Sequence, residues 1–187
     1  MRPETSVRVT VKPNTYVYLV MLIFFVPLKW LAAWLIAVSV HELSHYVGVK
    51  LCGGEVLEFT VGVGGAHMVC SPLENRRKLF SVLSGPIGGF ALVLLGRWLP
   101  RTALCSWLLS VYNFLPLLNL DGGRALEILF GQRRASVVEK VTLLLLSLAA
   151  LYTAIILQFG FLPLAIVCVL WLKSRKSPCK LRTRRVQ

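Results

Sequence analysis

Long apolar runs alternate with short polar stretches along most of this chain. Six apolar segments can be delimited, at 16–28, 30–50, 78–99, 102–119, 138–158 and 160–173. A helix needs about 20 apolar residues to cross a bilayer, and these runs approach that length. The first two and the last two segments adjoin so closely that we expect each pair to form a tight helical hairpin. The pattern therefore predicts an all-α polytopic membrane protein with about six transmembrane helices.

Composition supports this class of protein. Apolar residues make up 56% of the 187 residues, and the mean hydropathy is +0.71, both above the values of an ordinary soluble domain. The stretch 52–75 interrupts the apolar pattern, because EVLEFTV and AHMV flank a glycine-rich turn. This predicts a short β-hairpin between the second and third helices, and SVRVTV near the N-terminus could add another strand. We therefore divide the chain into an N-terminal arm (1–15), a six-helix membrane domain (16–173) and a basic tail (174–187).

The net charge of +13 would suggest a nucleic-acid partner in a soluble protein. Here the basic residues lie between apolar runs, as the positive-inside rule predicts, so we expect no nucleic-acid partner. With six spans, 18 Lys and Arg residues fall on one side, in the arm, the loops 50–78 and 121–140, and the tail, against 3 on the other side. This predicts a multi-pass protein of the cell membrane, surrounded by lipid, with both termini cytoplasmic.

Three unusual stretches fall at one depth in this topology: HELSH (41–45), SGPIGG (84–89) and NFLPLLNLDGG (113–123). Ionisable side chains inside a membrane are costly and usually functional. HELSH is an HExxH pattern, which places His41 and His45 on one face of a helix, where both could bind one metal ion. Glu42 could then accept a proton from a metal-bound water. The alternative is a pair of interior histidines hydrogen-bonded to neighbouring helices.

A catalytic zinc site needs a third protein ligand, and two residues compete for this role. Asp121 is the only aspartate of the chain, and it lies on backbone that Pro116 and two following glycines make irregular. Such backbone is tolerated at membrane depth where it is buried or lines a wet cavity. Asp121 could also cap a helix that begins near Gly122. His67, on the predicted hairpin, is the rival third ligand.

Two further polar or small-residue features accompany these motifs. Asn113 would lie slightly deeper than Asp121, where its amide could bind a substrate carbonyl or its oxyanion, or could join two helices by a hydrogen bond. Gly85 and Gly89 have the small-xxx-small spacing that close helix packing explains without any chemistry.

Together, HELSH, SGPIGG and NFLPLLNLDGG resemble the three signatures of the site-2 protease family, which are intramembrane zinc metalloproteases. The spacing is most similar to the branch of the stage IV sporulation protein FB, although we expect this chain to lack that protein's C-terminal CBS domain. The resemblance covers about residues 12 to 173. It implies one zinc ion per chain bound by His41, His45 and Asp121, with Glu42 as the catalytic base and Asn113 in the family's asparagine position.

These observations predict an enzyme that cleaves a peptide bond in or near the transmembrane segment of a membrane-tethered substrate protein. A membrane regulatory protein would be a further partner. Two rival functions are a membrane protein that binds metal without catalysis, for transport or structure, and a zinc-free pseudoprotease that acts as a chaperone. The first predicts that Glu42 is dispensable while both histidines matter, and the second predicts no bound zinc.

Overall fold

The computed structural model describes residues 8–62, 65–156 and 161–175. The protein is mostly helical and has one small sheet. The elements in chain order are β1 (Arg8–Val11), α1 (Pro13–Phe25), α2 (Leu28–Leu51), β2 (Val56–Gly62), β3 (Gly65–Cys70), α3 (Asn75–Val93), a 3-10 turn (Leu94–Arg97), α4 (Pro100–Phe114), α5 (Asp121–Phe130), α6 (Gln132–Ile155) and α7 (Leu162–Arg175). They form two compact units, Met1–Tyr112 and Asn113–Gln187.

The first unit is built on the packing of α2 against α3. Small residues recur every four positions on the buried face of each helix, at Ala33 and Ala37 of α2 and at Ser81, Gly85 and Gly89 of α3. This spacing places them on one face and lets the two backbones approach closely. The packing continues the buried face of α2 directly into His41.

The predicted β-hairpin is confirmed, since β2 and β3 pair antiparallel. The N-terminal strand is also present as β1, which pairs parallel to β2 in the strand order β1-β2-β3. The backbone N–H of Lys12 donates to Val61 O over 3.0 Å, which joins the start of α1 to the sheet. The turn of the hairpin, at residues 63–64, lies outside the described residues.

The second unit contains a small apolar core formed by Leu117, Leu120 and Leu143, with Leu170 and Trp171 packed against it. The indole Nε1–H of Trp171 donates to Ser147 Oγ over 3.1 Å, and this hydroxyl donates in turn to the Leu143 carbonyl over 2.7 Å. The expected pairing of the last two helices is therefore present. Most of the turn predicted between them lies outside the described residues.

Residues 121–140 differ from the prediction, because they form α5 and the first two turns of α6 rather than a loop. The apolar pattern did not reveal α5 as a helix, because α5 is amphipathic and exposes part of its surface to solvent or lipid. Likewise, the predicted segment 102–119 is helical only as far as Phe114. Pro116 explains this end, since proline disfavours helical backbone at the preceding residue.

Among the described residues, two helical stretches are long and apolar enough to cross a membrane, Asn75–Arg97 and Gln132–Ile155. Only 22% and 17% of their apolar windows are buried, which distinguishes them from the core helices of a soluble protein. Apolar surface exposed on this scale favours association with a membrane. The predicted count of six spans is not confirmed, because α1 and α7 are shorter apolar helices and α4 has 15 residues.

Candidate metal centre

The two histidines of HELSH lie one turn apart on α2, as the spacing predicted. His41 is 3% exposed, and the two imidazole rings meet edge to face with centroids 4.8 Å apart. Their Nε2 atoms approach to 3.3 Å. Two nitrogens bound to one tetrahedral zinc ion, at Zn–N distances of 2.0–2.1 Å, would be separated by about 3.3–3.4 Å. The pair therefore already has the separation that a shared metal ion requires.

The second ring nitrogen of His45 is fixed by α3. Its Nδ1 lies 2.9 Å from the carbonyl oxygen of Ser81, to which it donates a hydrogen bond in the tautomer that leaves the Nε2 lone pair available. Metal-binding histidines commonly donate their other N–H in this way, which orients the ring and makes the ligating nitrogen more basic. The donor set and its outer partner thus fit a metal ion.

Gly85 of SGPIGG lies directly against the His45 ring. A Cβ atom added at Gly85 would overlap the imidazole, so only glycine leaves room for the ring in this position. A Cβ at Gly89 would instead overlap the Ser110 hydroxyl of α4. From the sequence, helix packing alone was expected to explain both glycines. The structure distinguishes them, because Gly85 also borders a candidate metal ligand.

Asp121 is the first residue of α5 and is 6% exposed. The N-cap position falls on Leu120, so Asp121 is not the cap of a helix that begins at Gly122. The positive end of the helix dipole favours a carboxylate in this first turn. Added Cβ atoms at Gly122 and Gly123 would overlap the backbone of Phe114 and Leu117, so the glycine pair lets the start of α5 contact the preceding segment.

Within the described residues, His41, His45 and Asp121 form the group that could hold a metal ion. Each offers one ligand atom, and these atoms all lie within 4.8 Å of one another. Three protein ligands that include two imidazoles and a carboxylate are a common set for catalytic zinc. The backbone of His67 lies in β3 opposite Thr60, but its side chain is outside the described part of the structure, so its competing role stays a prediction.

Glu42 and Asn113 are both half-buried, the first beside His41 on α2 and the second at the end of α4. Their proposed roles remain predictions. The structure draws attention to two residues that the sequence analysis did not single out, Ser81 and Glu139. Ser81 offers its backbone carbonyl, for which no sequence signal exists. Glu139 is a buried carboxylate on α6, and its charge inside an apolar segment was a signal that could have identified it.

No protein-family profile matches this chain, and no curated protein matches it either. Among solved structures, the chain is similar to a site-2 protease from Methanocaldococcus jannaschii, with a TM-score of 0.58 and 17% sequence identity. The alignment covers 88% of this chain and 88% of that protein. At this level of identity the likeness shows the fold. The chain thus has the fold of a site-2 protease and carries, within it, a His-His-Asp group that could bind a metal ion.

Proposed function

We propose that this protein is an intramembrane zinc metalloprotease that hydrolyses a peptide bond in or near the transmembrane segment of a membrane-tethered protein. The observation that carries the proposal is the group of His41, His45 and Asp121 within the fold of a site-2 protease. The spacing of the three motifs further supports the branch of the stage IV sporulation protein FB. The proposal places one zinc ion in each chain.

The residues divide the chemistry as follows. His41, His45 and Asp121 would hold the zinc ion, which when bound supplies a Lewis acid able to lower the pKa of a water to about 7. Glu42, which follows the first ligand on α2, would accept the proton of the attacking water and later give it to the leaving amine. Asn113 would donate its amide N–H to the substrate carbonyl as negative charge develops on the oxygen.

A helical substrate must unwind before cleavage, because its scissile amide is hydrogen-bonded within the helix. The sheet offers a way to bind the unwound segment by strand addition. Since β2 is paired on both sides, the strand that would accept the substrate is β3 or β1, each of which has one pairing partner among the described residues. Strand addition would fix the extended substrate through its backbone and would leave side-chain selection to the surrounding surface.

We further propose a multi-pass protein of the cell membrane with cytoplasmic termini, supported by the asymmetry of 18 to 3 basic residues. Cysteines introduced near Lys29 and Arg101 should react with an impermeant reagent outside intact cells, whereas a cysteine in the tail should not. Labelling of the tail from outside would contradict this topology.

The experiment that tests catalysis is Glu42→Gln, measured by turnover of a tethered reporter substrate together with metal analysis of the purified protein. The amide cannot accept a proton, so cleavage should fall below detection while bound zinc and folding change little. The matched control on the same helix is Ser44→Ala, which removes a hydroxyl that donates to the Val40 carbonyl over 2.7 Å. This control should retain most of the activity.

The outcomes separate the proposal from its rivals. If Glu42→Gln cleaves the reporter at a near-normal rate, the protease assignment is wrong and a non-catalytic metal-binding function is favoured. If the wild-type protein retains no zinc at all, the pseudoprotease is favoured instead.

A further inference from the structure

A buried carboxylate on α6 has no part in the chemistry proposed above. Glu139 is 6% exposed and lies within Gln132–Ile155, one of the two helices long and apolar enough to cross a membrane. Burying a carboxylate in apolar surroundings costs roughly 2–5 kcal/mol or more, so a buried carboxylate is expected to have a specific hydrogen-bond or charged partner.

Among the residues that the structure describes, the hydrogen-bond partner of Glu139 is a backbone group. The N–H of Leu118 donates to Glu139 Oε1 over 3.4 Å, slightly longer than the roughly 2.7–3.2 Å typical of such bonds. Leu118 lies in residues 115–120, the irregular segment between α4 and α5. Backbone polar groups of irregular segments inside a membrane protein need partners supplied by the protein. Glu139 meets this need for an N–H that no helix or strand can satisfy.

The same segment leads directly into Asp121. Its backbone is folded tightly, since Leu117 N–H donates to Leu115 O and Leu120 N–H donates to Leu117 O, each over 2.8 Å. Leu117 and Leu120 also pack against Leu143, one turn beyond Glu139 on α6. One helix therefore fixes the segment twice, through apolar packing and through a hydrogen bond to its centre.

We infer that Glu139 is a positioning residue for Asp121: its side-chain oxygen fixes the backbone at Leu118, and thereby the position from which the Asp121 carboxylate reaches the metal. The inference rests on the proposed function, in which Asp121 is a zinc ligand. Outer partners that orient a ligand typically change metal affinity 10–100-fold when they are removed. The feature that matters is an acceptor oxygen, so an amide should replace the carboxylate.

Three variants of the full chain test this inference. Glu139→Gln keeps an acceptor oxygen, and Glu139→Met has a similar length without one. Ser147→Ala, two turns further along α6, removes the hydroxyl that accepts from Trp171 and serves as a control for general disturbance of the helix. Purified protein in detergent is loaded with Co²⁺, and we would measure its visible absorption spectrum, its Co²⁺ affinity, its thermal unfolding midpoint and the amide hydrogen exchange of residues 115–123.

We expect Glu139→Met to lose about 10–100-fold in Co²⁺ affinity, to show an altered spectrum and to exchange faster at residues 115–123. Its unfolding midpoint should change little, because the loss of the hydrogen bond to Leu118 and the removal of a costly buried carboxylate act in opposite directions. Glu139→Gln and Ser147→Ala should keep the wild-type spectrum. A merely structural role predicts the opposite for Glu139→Met, a lower midpoint with an unchanged spectrum, and that result would overturn the inference.

Two other results would also overturn it. If Glu139→Gln loses as much affinity as Glu139→Met, the charge matters rather than the hydrogen bond. If hydrogen exchange at residues 115–123 is the same in Glu139→Met as in the wild type, Glu139 does not hold this segment. Failure of the proposed function is recognised separately, by wild-type protein that binds no Co²⁺ while the exchange difference persists.

Discussion

The two histidines lie on regular helical backbone, whereas the aspartate lies where an irregular segment meets the start of a helix. His41 and His45 belong to the regular helix α2, where their separation follows from one helical turn. Asp121 follows an irregular segment, 115–120, and starts a helix of only ten residues. Small residues serve both regions but meet different neighbours. Gly85 lies against a side chain, the imidazole of His45, whereas Gly122 and Gly123 lie against backbone.

This difference indicates where each region is sensitive to mutation. On α2, the backbone is held by its own helical hydrogen bonds, so a substitution there should act mainly through the orientation of an imidazole ring. At residues 115–123, the position of the backbone itself depends on glycines, on buried leucines and on Glu139. We therefore expect substitutions there to change both the stability of the protein and its affinity for metal. Four predictions, from the largest expected effect to the smallest, test this contrast.

Asp121→Ala should have the largest effect. Removing one of the three proposed ligands should lower zinc affinity by more than the ~100-fold that marks the upper range for outer partners. The comparison is zinc retained under mild chelation, with His67→Ala as the control, because the rival histidine should matter little. If His67→Ala loses the metal and Asp121→Ala keeps it, the ligand set is wrong.

Gly85→Ala should come next, because the new methyl group must displace the His45 ring from its hydrogen bond with the Ser81 carbonyl. Zinc affinity should fall about 10–100-fold. Gly88→Ala is the matched control, since its methyl group would overlap Ser44 at the same helix contact. Both should cost about 1–3 kcal/mol of unfolding free energy, as overpacking commonly does. An equal loss of zinc in the two variants would refute a special relation between Gly85 and His45.

Gly123→Ala should mainly affect stability. Its methyl group would overlap the Leu117 carbonyl, and backbone cannot rotate away as a side chain can. We expect a loss of about 1–3 kcal/mol in unfolding free energy, with a smaller loss of zinc affinity. Gly96→Ala is the control, because its methyl group would meet Ala103 Cβ at an ordinary 3.4 Å. Reversible unfolding in mixed micelles, followed by circular dichroism, measures the unfolding free energy of both variants. Equal stability of the two variants would contradict the prediction.

Ser147→Ala should have the smallest effect. It removes the acceptor of the Trp171 indole N–H and with it one hydrogen bond between α6 and α7. The expected cost is about 0.5–1.5 kcal/mol of unfolding free energy, with zinc affinity unchanged. Trp171→Phe should lower the unfolding free energy by a similar amount if this hydrogen bond is the main contribution of Trp171 to stability. A clear loss of zinc in Ser147→Ala would show that this helix pair influences the metal centre.

Features of this protein that depend on a few neighbouring residues were predicted from the sequence, whereas features that depend on distant residues were not. The hairpin of β2 and β3, the strand β1 and the helical position of HELSH were predicted correctly, since each depends on alternation or spacing within a few residues. Helix α5 was placed in a loop, and a helix there was considered only as the alternative in which Asp121 is a cap, because its ten residues carry an amphipathic rather than a continuous apolar pattern. The end of α4 and the start of α6 were also placed wrongly by several residues, because apolar runs do not mark helix ends.

Sequence by itself determined that two imidazoles share one face of a helix and that a single aspartate follows a proline and precedes two glycines. It also determined the apolar character that favours a membrane. Only the tertiary structure shows that Asp121 lies with the two histidines in a group that could hold a metal ion, that the Ser81 carbonyl contacts His45, that Gly85 borders the His45 ring, and that Glu139 contacts Leu118. The physical reason is that these contacts join residues 21 to 80 positions apart, or are made by backbone atoms, which every residue type carries alike.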